Sequence, residues 1–564
     1  MPNIVFVLLR RLHSPLIVLI LVYAVSILGF TLIPGVDDQG RPWRMDFFHA
    51  FYFVSFMGST IGFGEIPYPF TGAQRMWATA SIYATVVAWL YGIGTSLSIM
   101  QEPAFRRLLR ETAFRRAVRR LAEPFYLVCG YGDTGSLLVK ALVDSGRGAV
   151  VIDIDEERID ALELEDLGID VPGLRADAAD PARLMEAGLR HPRCVGVVAL
   201  TNSDEVNLTI AIASSLQGRG ARTIARAETQ AGAENIASLG NVEVINPFET
   251  FAGRLAQAVH APGMHLLFDW LTGVPHERLQ QPLFPPHGRW ILCGYGRFGK
   301  AVYRRLRAEG VEVQVVESQP EVAGAPAGTV AGLGTDARTL MQAGVKDAAG
   351  IVAGTDSDAN NLSIIVTARA LNSGLFTVAR QNQRTNEALF RAAEVDLVMQ
   401  RGSVIAHKIF ALITTPLLAE FLDLAATQDN DWANELVSRI GGVIEEEAPA
   451  TWSLDITPRG AGAVYSALAR GETVRVGDLC RNPRLRDERL PCVPLLLVRA
   501  GDNRLVPADD TTLAPGDRLL FCGRRGAGRE MDWIAHGPDV LRYVRTGEEH
   551  PSTVLGRLLA RRGA

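Results

Sequence analysis

Two long stretches without a formal charge set the first limit on this chain. Pro15–Ile33 contains no Asp, Glu, Lys or Arg, and neither does Met76–Met100. Each is long enough to cross a hydrocarbon core of about 30 Å, which takes about 20 apolar residues. The first stretch is too long for the apolar core of a cleaved signal peptide, and no clear small-residue cleavage site follows it. Arg10 and Arg11 precede it, and seven arginines between Arg106 and Arg120 follow the second. The excess of positive charge at both outer ends predicts a hairpin of two spans with both ends on the cytoplasmic side. Hydrophobic residues make up 48% of the 564. That share suits a short membrane part joined to a large soluble part.

Between the spans lies a third apolar run, Phe47–Met57, too short to cross. Asp46 stands at its start, where a carboxylate caps a helix. The run leads into Ser59-Thr60-Ile61-Gly62-Phe63-Gly64-Glu65. Non-helical backbone at membrane depth survives only when buried or lining a watery path, so this strip is the candidate pore lining. In the second span, Gly92 and Gly94 read either as a gating hinge, since glycine weakens a helix, or as a site of close helix packing. Gln101–Glu123, arginine-rich with interleaved apolar residues, reads as a helical linker, either touching lipid headgroups or simply solvated.

The strip Thr60-Ile61-Gly62-Phe63-Gly64-Glu65 resembles the potassium-channel signature, usually Thr-Val-Gly-Tyr-Gly-Asp. In that family, backbone carbonyls and the Thr hydroxyl replace the hydration shell of the ion. Phe63 lacks the ring hydroxyl that usually braces the filter, and Glu65 lengthens the outer carboxylate. The carbonyl ladder itself is untouched by either change. The resemblance implies a homotetramer, because each subunit supplies one strip of the filter.

The rest of the chain repeats itself. Phe125-Tyr126-Leu127-Val128-Cys129 runs into Gly130-Tyr131-Gly132-Asp133-Thr134-Gly135, and Trp290-Ile291-Leu292-Cys293 into Gly294-Tyr295-Gly296-Arg297-Phe298-Gly299. Each is a strand, a GxGxxG turn and a helix, as dinucleotide-binding folds require. Such a turn lets backbone approach a pyrophosphate at a helix N-terminus. A second strand ends at Asp153 in one copy and at Glu317 in the other, where an acid is placed to bind ribose hydroxyls. Arg175-Ala176-Asp177 is echoed by Gly334-Thr335-Asp336. Thr201–Leu208 is echoed by Thr355–Leu362, each with an Asn in the helix start. Arg297 is expected to meet phosphate, whereas Asp133, at the same place in the first copy, would repel it.

This pattern resembles the domains that regulate potassium conductance, related to the Trk-system regulatory subunits. The resemblance implies nucleotide-facing residues at Gly130, Gly132, Gly135, Asp153 and Asp177, then at Gly294, Gly296, Arg297, Gly299, Glu317 and Asp336. It implies NAD(H) or ADP/ATP as ligand, with calcium as a further candidate, and helices swapped between neighbouring domains in a ring. The expected organisation is a transmembrane α-helical pore domain (1–100), a linker (101–123), a first Rossmann-like α/β domain with its helices (124–280) and a linker (281–288). A second Rossmann-like lobe (289–430), a small lobe like that following Trk-type nucleotide domains (431–525) and a tail (526–564) complete it.

The expected function is a potassium-selective channel of a bacterial or archaeal cell membrane, gated from the cytoplasm. Its partners are potassium ions, membrane lipids and its own copies. A membrane-anchored NAD-dependent enzyme needs a proton-transfer residue in a substrate pocket, and the ten histidines form no such motif. A non-conducting regulatory subunit of a transporter explains the repeats but leaves the glycine strip idle. The near-neutral formal charge of −5 gives no global case for nucleic-acid binding. The six cysteines form no CxxC pair and read as reduced core thiols rather than a metal site.

Overall fold

The computed structural model describes residues 4–62, 68–218, 220–273, 279 and 283–548. Its contacts divide the chain into Met1–Ala117 and Val118–Ala564.

The first unit holds α1 (Ile4–Leu32), a two-residue hairpin β1–β2 (Gly35–Val36, Pro42–Trp43), α2 (Phe47–Gly58) and α3 (Gly72–Gln101). The helix α4 (Pro103–Arg120) begins in it. Two helical segments, Leu12–Leu32 and Gly72–Gln101, are long and apolar enough to cross a membrane. Asp46 caps α2 by accepting the His49 N–H at 2.7 Å. Thr71 and Gln74 form a capping box at the start of α3. Phe30, Ala50 and Val54 are fully buried where α1, α2 and α3 meet. Close approach there is specific: a Cβ on Gly29 would sit 2.0 Å from the Trp77 indole, whose Nε1–H donates to the Ser26 carbonyl at 3.0 Å. The outward faces of α1 and α3 carry exposed Ile20, Leu28, Met76, Tyr83, Val87 and Leu90, as lipid-facing or subunit-facing helices do.

The second unit contains two six-stranded parallel sheets. The first lobe runs β3 (Phe125–Cys129), α5 (Asp133–Asp144), β4 (Gly148–Asp153), α6 (Glu156–Leu164), β5 (Gly173–Arg175), α7 (Pro181–Glu186) and β6 (Cys194–Ala199). It continues with α8 (Asp204–Gln217), β7 (Arg222–Arg226), α9 (Gln230–Ala237) and β8 (Val242–Ile245). Its strand order is β5-β4-β3-β6-β7-β8. The helices α10 (Pro247–His260) and α11 (Pro262–Thr272) follow. The second lobe runs β9 (Arg289–Cys293), α12 (Arg297–Ala308), β10 (Glu312–Glu317), α13 (Pro320–Ala323), β11 (Val330–Ala331), α14 (Ala337–Gln342) and β12 (Gly350–Ala353). Then come α15 (Asp358–Leu371), β13 (Phe376–Gln381), α16 (Glu387–Ala392) and β14 (Leu397–Gln400), followed by α17 (Arg401–Thr414) and α18 (Pro416–Ala425). Its order, β11-β10-β9-β12-β13-β14, repeats the first. In both, the order reverses beside the central strand, where ligands of such sheets bind at the strand ends.

The swap takes place inside the chain. Helix α17 packs on α5, and α10 on α12, so each lobe receives the helix that follows the other. Ile405, Ile409, Leu412 and Ile413 of α17 enter the same core as Val128, Leu138 and Val151 of the first lobe. At about 1.5–3 kcal/mol for each large apolar side chain buried, this is a principal bond between the lobes. Helices α17 and α18 bend by 115° at Thr415, and Phe421 and Ala425 of α18 are buried in a further core.

The small lobe follows only the second copy. After α19 (Asn430–Gly441) it holds β15 (Ala450–Asp455), α20 (Gly462–Ala469), α21 (Val476–Leu479), β16 (Cys492–Arg499), β17 (Asp502–Leu505) and β18 (Arg518–Gly523). These strands form one sheet, β15-β18-β16-β17. Two more helices, α22 (Ala527–His536) and α23 (Pro538–Thr546), stand where the sequence suggested a tail. Their Met531, Ile534, Leu541 and Val544 are buried in the same core as Leu519 and Phe521. They are part of the lobe because, with Val464 of α20 and Leu479 of α21, they cover the apolar face of its sheet. Two acids between its last two strands are engaged with arginines: Asp517 with Arg499 at 2.6 Å, and Asp509 with Arg489. Five of the six cysteines are buried and all are free thiols. Burial pushes the Cys293 thiol up to about 12.

Candidate functional site

The glycine strip begins in the described part of the first unit and then leaves it. Thr60 and Gly62 both have left-handed backbones, φ 59° and 67°. The N–H groups of Ile61 and Gly62 both point to the Phe56 carbonyl, at 3.1 and 3.4 Å. The chain thus turns sharply off the end of α2, and glycine relieves the cost of that turn at position 62. A Cβ there would meet none of the described residues within 4 Å. Phe63, Gly64 and Glu65 lie outside the described residues. Gly92 and Gly94 sit within unbroken α3, where a Cβ at either meets nothing within 4 Å. Packing against the described residues of the same chain therefore does not account for them. The Thr95 and Ser96 hydroxyls donate to the Tyr91 and Gly92 carbonyls at 2.8 and 2.9 Å. Such back-bonding adds to the local softness of the helix.

In the second unit, a cavity of about 1160 Å³ opens over the first glycine turn. It is bounded by Gly130–Ser136, by Asp153 and Arg158, by Asp177, and by Thr201–Ser203 and Arg226. Gly130 has φ +108°, and a Cβ on Gly135 would lie 2.0 Å from the Gly130 carbonyl oxygen. The turn and the first turn of α5 are pressed together at a distance no side chain tolerates. Across the opening stand Gln381, Asn382, Arg384, Gln400, Gly402 and His407 of the second lobe. The site is therefore built by both lobes.

The strand-end acids hold the turns. Asp153, only 5% exposed, accepts the Tyr131 N–H at 2.5 Å and the Asp155 N–H at 2.8 Å. Glu317 accepts the Tyr295 N–H at 2.7 Å and the Gln319 N–H at 3.1 Å. Burial works to raise the Glu317 pKa, but these donors outweigh it and hold the carboxyl below its ordinary value. Arg158 reaches over Gly132: its Nη1 is 3.4 Å from Asp153 and 3.4 Å from where a Gly132 Cβ would be. The cavity thus has a guanidinium beside the turn that the sequence reading did not single out. The repeated Asn staples the next loop. Asn207 Oδ1 accepts the Thr201 N–H at 3.0 Å and its hydroxyl at 2.8 Å, and Asn361 does the same for Thr355 at 2.9 and 2.7 Å.

The pairing of Asp177 with Asp336 needs a correction of register. Ala176 N–H donates to the Asp153 carbonyl, and Gly332 N–H to that of Glu317. These are equivalent places, so Asp177 corresponds to Leu333. Asp336 caps α14, as Asp180 caps α7. The second copy has no acid opposite Asp177, and Leu333 there is 61% exposed. Arg297, expected to meet phosphate, instead lies 2.9 Å from Glu228 of the first lobe.

Residues 126–247 and 290–401 each match the TrkA-N domain family. Among curated relatives, "Potassium channel protein 1" of Methanocaldococcus jannaschii is 26% identical over 204 residues, 36% of this chain and 59% of that protein. A "Trk system potassium uptake protein TrkA homolog" of Pyrococcus abyssi is 29% identical over 136 residues, 22% of this chain and 60% of that one. The match thus spans about three fifths of either relative's length. A solved structure of the GsuK channel bound to NAD is 17% identical with a TM-score of 0.47, covering 94% of this chain and 98% of that one.

Proposed function

We propose that this chain, which carries two TrkA-N domains behind two membrane-length helices, is the subunit of a potassium channel gated by a nucleotide bound to the first TrkA-N domain. The observation that carries this reading is the joining, in one chain, of helix, short capped helix, glycine strip and helix to the cavity over Gly130–Gly135. The names of the curated relatives, a potassium channel and potassium-uptake proteins, agree with it. Four copies would surround one filter made from Thr60–Glu65, with both termini on the cytoplasmic side and Gly92 and Gly94 as the flexible point of the inner helix.

In this reading, Gly130, Gly132 and Gly135 let backbone lie against phosphate, with Arg158 and Arg384 as cations. Asp177 has its rim position for ribose, and Asp153 fixes the turn that phosphate meets. NAD(H) or ADP/ATP fits such a cavity, whose volume exceeds that of most small-molecule pockets. Because both lobes line it, ligand affinity depends on their relative placement. A nucleotide then shifts gating by its difference in affinity between the two placements. Arg158→Ala is expected to weaken ADP binding at least about tenfold, the cost of one charge-assisted hydrogen bond. Calorimetry on the purified chain checks it, and unchanged affinity would remove Arg158 from the site.

Rubidium or potassium flux into liposomes holding the purified protein tests the whole reading, with and without NAD(H), ADP and calcium. Potassium-selective flux that responds to nucleotide is expected. Absence of flux from folded, oligomeric protein would favour a non-conducting regulatory subunit.

A further inference from the structure

The two lobes face each other across a pseudo-symmetric contact, so each glycine turn meets the same elements of the opposite lobe. Facing the first turn are Asn382, after β13, and Gly402, at the start of α17. A Cβ on Gly402 would lie 3.0 Å from that of Asp133. The corresponding residues facing the second turn are Glu228, after β7, and Phe248, at the start of α10. The turns differ in the opposite sense, with Asp133 in the first and Arg297 in the second. One turn therefore combines an acid with a neutral amide and no side chain. The other combines a cation with a carboxylate and an aromatic ring.

At the second turn these parts are joined. Glu228, whose side chain is 9% exposed, holds Arg297 Nη1 at 2.9 Å and also engages Arg226. Phe248, 2% exposed, places its ring 5.5 Å from the Arg297 guanidinium and 6.3 Å from the Phe298 ring. Arg380 lies 5.3 Å over the same ring. Asp204 sets the backbone that carries Glu228, accepting the N–H groups of Glu228 and Thr229 at 2.9 and 3.0 Å.

We infer that the second glycine turn is a phosphate site whose cation the chain itself has claimed, with Glu228 as the resident anion on Arg297 and the Phe248 ring packed against that guanidinium. The inference rests on reading the glycine turns as phosphate sites. A carboxylate on a guanidinium at a helix N-terminus offers the charge and the acceptor oxygens that a phosphate would bring. The wild-type chain then binds a single nucleotide, at the first turn, and the second copy serves as a fixed electrostatic joint between the lobes.

Removing the carboxylate opens the site. Titration of the full-length chain in detergent with inorganic pyrophosphate, followed by calorimetry, decides the matter. Glu228→Gln keeps the side-chain volume and is expected to gain one pyrophosphate equivalent per chain over wild type. Adding Arg297→Ala to it is expected to abolish that gain, with the ADP equivalent at the first turn retained as the sign of a folded protein. A Glu228→Gln chain that gains no equivalent overturns the inference. So does a wild-type chain that binds two ADP, one of them lost with Arg297→Ala. A wild-type chain that binds no ADP, with the Glu228→Gln gain still present, would instead count against the first turn as the regulatory site and leave the filled second turn standing.

Discussion

Gly62→Asp is expected to reduce potassium flux to the level of empty liposomes while leaving the folded protein intact. Gly62 has φ +67° with open space where a Cβ would stand. An aspartate there bears a left-handed penalty of at most about 1–2 kcal/mol, and its Cβ meets no described atom of its own chain. The loss would come from charge: each copy around the axis adds a carboxylate to a path built of carbonyl dipoles. Gly62→Ala is the control, with a backbone penalty at least as large and no charge, and is expected to keep measurable flux. Flux from the aspartate variant equal to wild type would show that the strip does not line the pore.

Gly135→Val should abolish the nucleotide response and spare conduction. The Gly130 carbonyl oxygen occupies the position 2.0 Å from any Cβ at residue 135. That oxygen is backbone and cannot rotate away, so the turn must open. Overpacking of this kind costs about 1–3 kcal/mol even where side chains adjust, and here the displaced atoms are the phosphate cradle itself. ADP affinity by calorimetry is expected to fall at least about tenfold, a change of about 1.4 kcal/mol, and flux should no longer respond to ADP. Gly296→Ala is the contrast. Its φ is −74° and a Cβ meets nothing within 4 Å, so it should be silent. Wild-type ADP affinity in Gly135→Val would mean that the nucleotide binds away from the first turn.

What the sequence made legible was local. Charge-free runs of sufficient length mark the two long helices, and an acid before an apolar run marks the cap at Asp46. Alternation of strand, glycine turn and helix marks both lobes. These features depend on neighbours within a few residues. The functions of the strand-end acids were only half legible. Their positions follow from the repeat, but their grip on the Tyr131 and Tyr295 N–H groups arises from how the chain folds back. The register error at Asp336 came from matching one acid with another. The shared Leu-Met-x-Ala-Gly of Leu184–Gly188 and Leu340–Gly344 gives the correct alignment. Arg158, Arg384, Gly402 and Glu228 carry no motif. Arg158 acts through the folding of its own lobe over Gly132, and the others through contacts between lobes far apart in sequence, neither of which periodicity encodes. The helices at 527–546 looked like a tail because amphipathic pattern alone does not reveal which sheet face awaits them.

The exchange of α10 and α17 also has a consequence for biosynthesis. The first lobe leaves the ribosome lacking the helix that covers α5, and that helix is not made until residue 414. At about 5–20 residues per second, the wait after residue 247 is roughly ten to thirty seconds. Throughout that interval the face of α5 that α17 covers in the finished domain lacks its partner. A chain interrupted in the second repeat would therefore release a first lobe with an unfinished core, a natural client for chaperones and proteases. The order of the repeats makes completion of one half the checkpoint for the other.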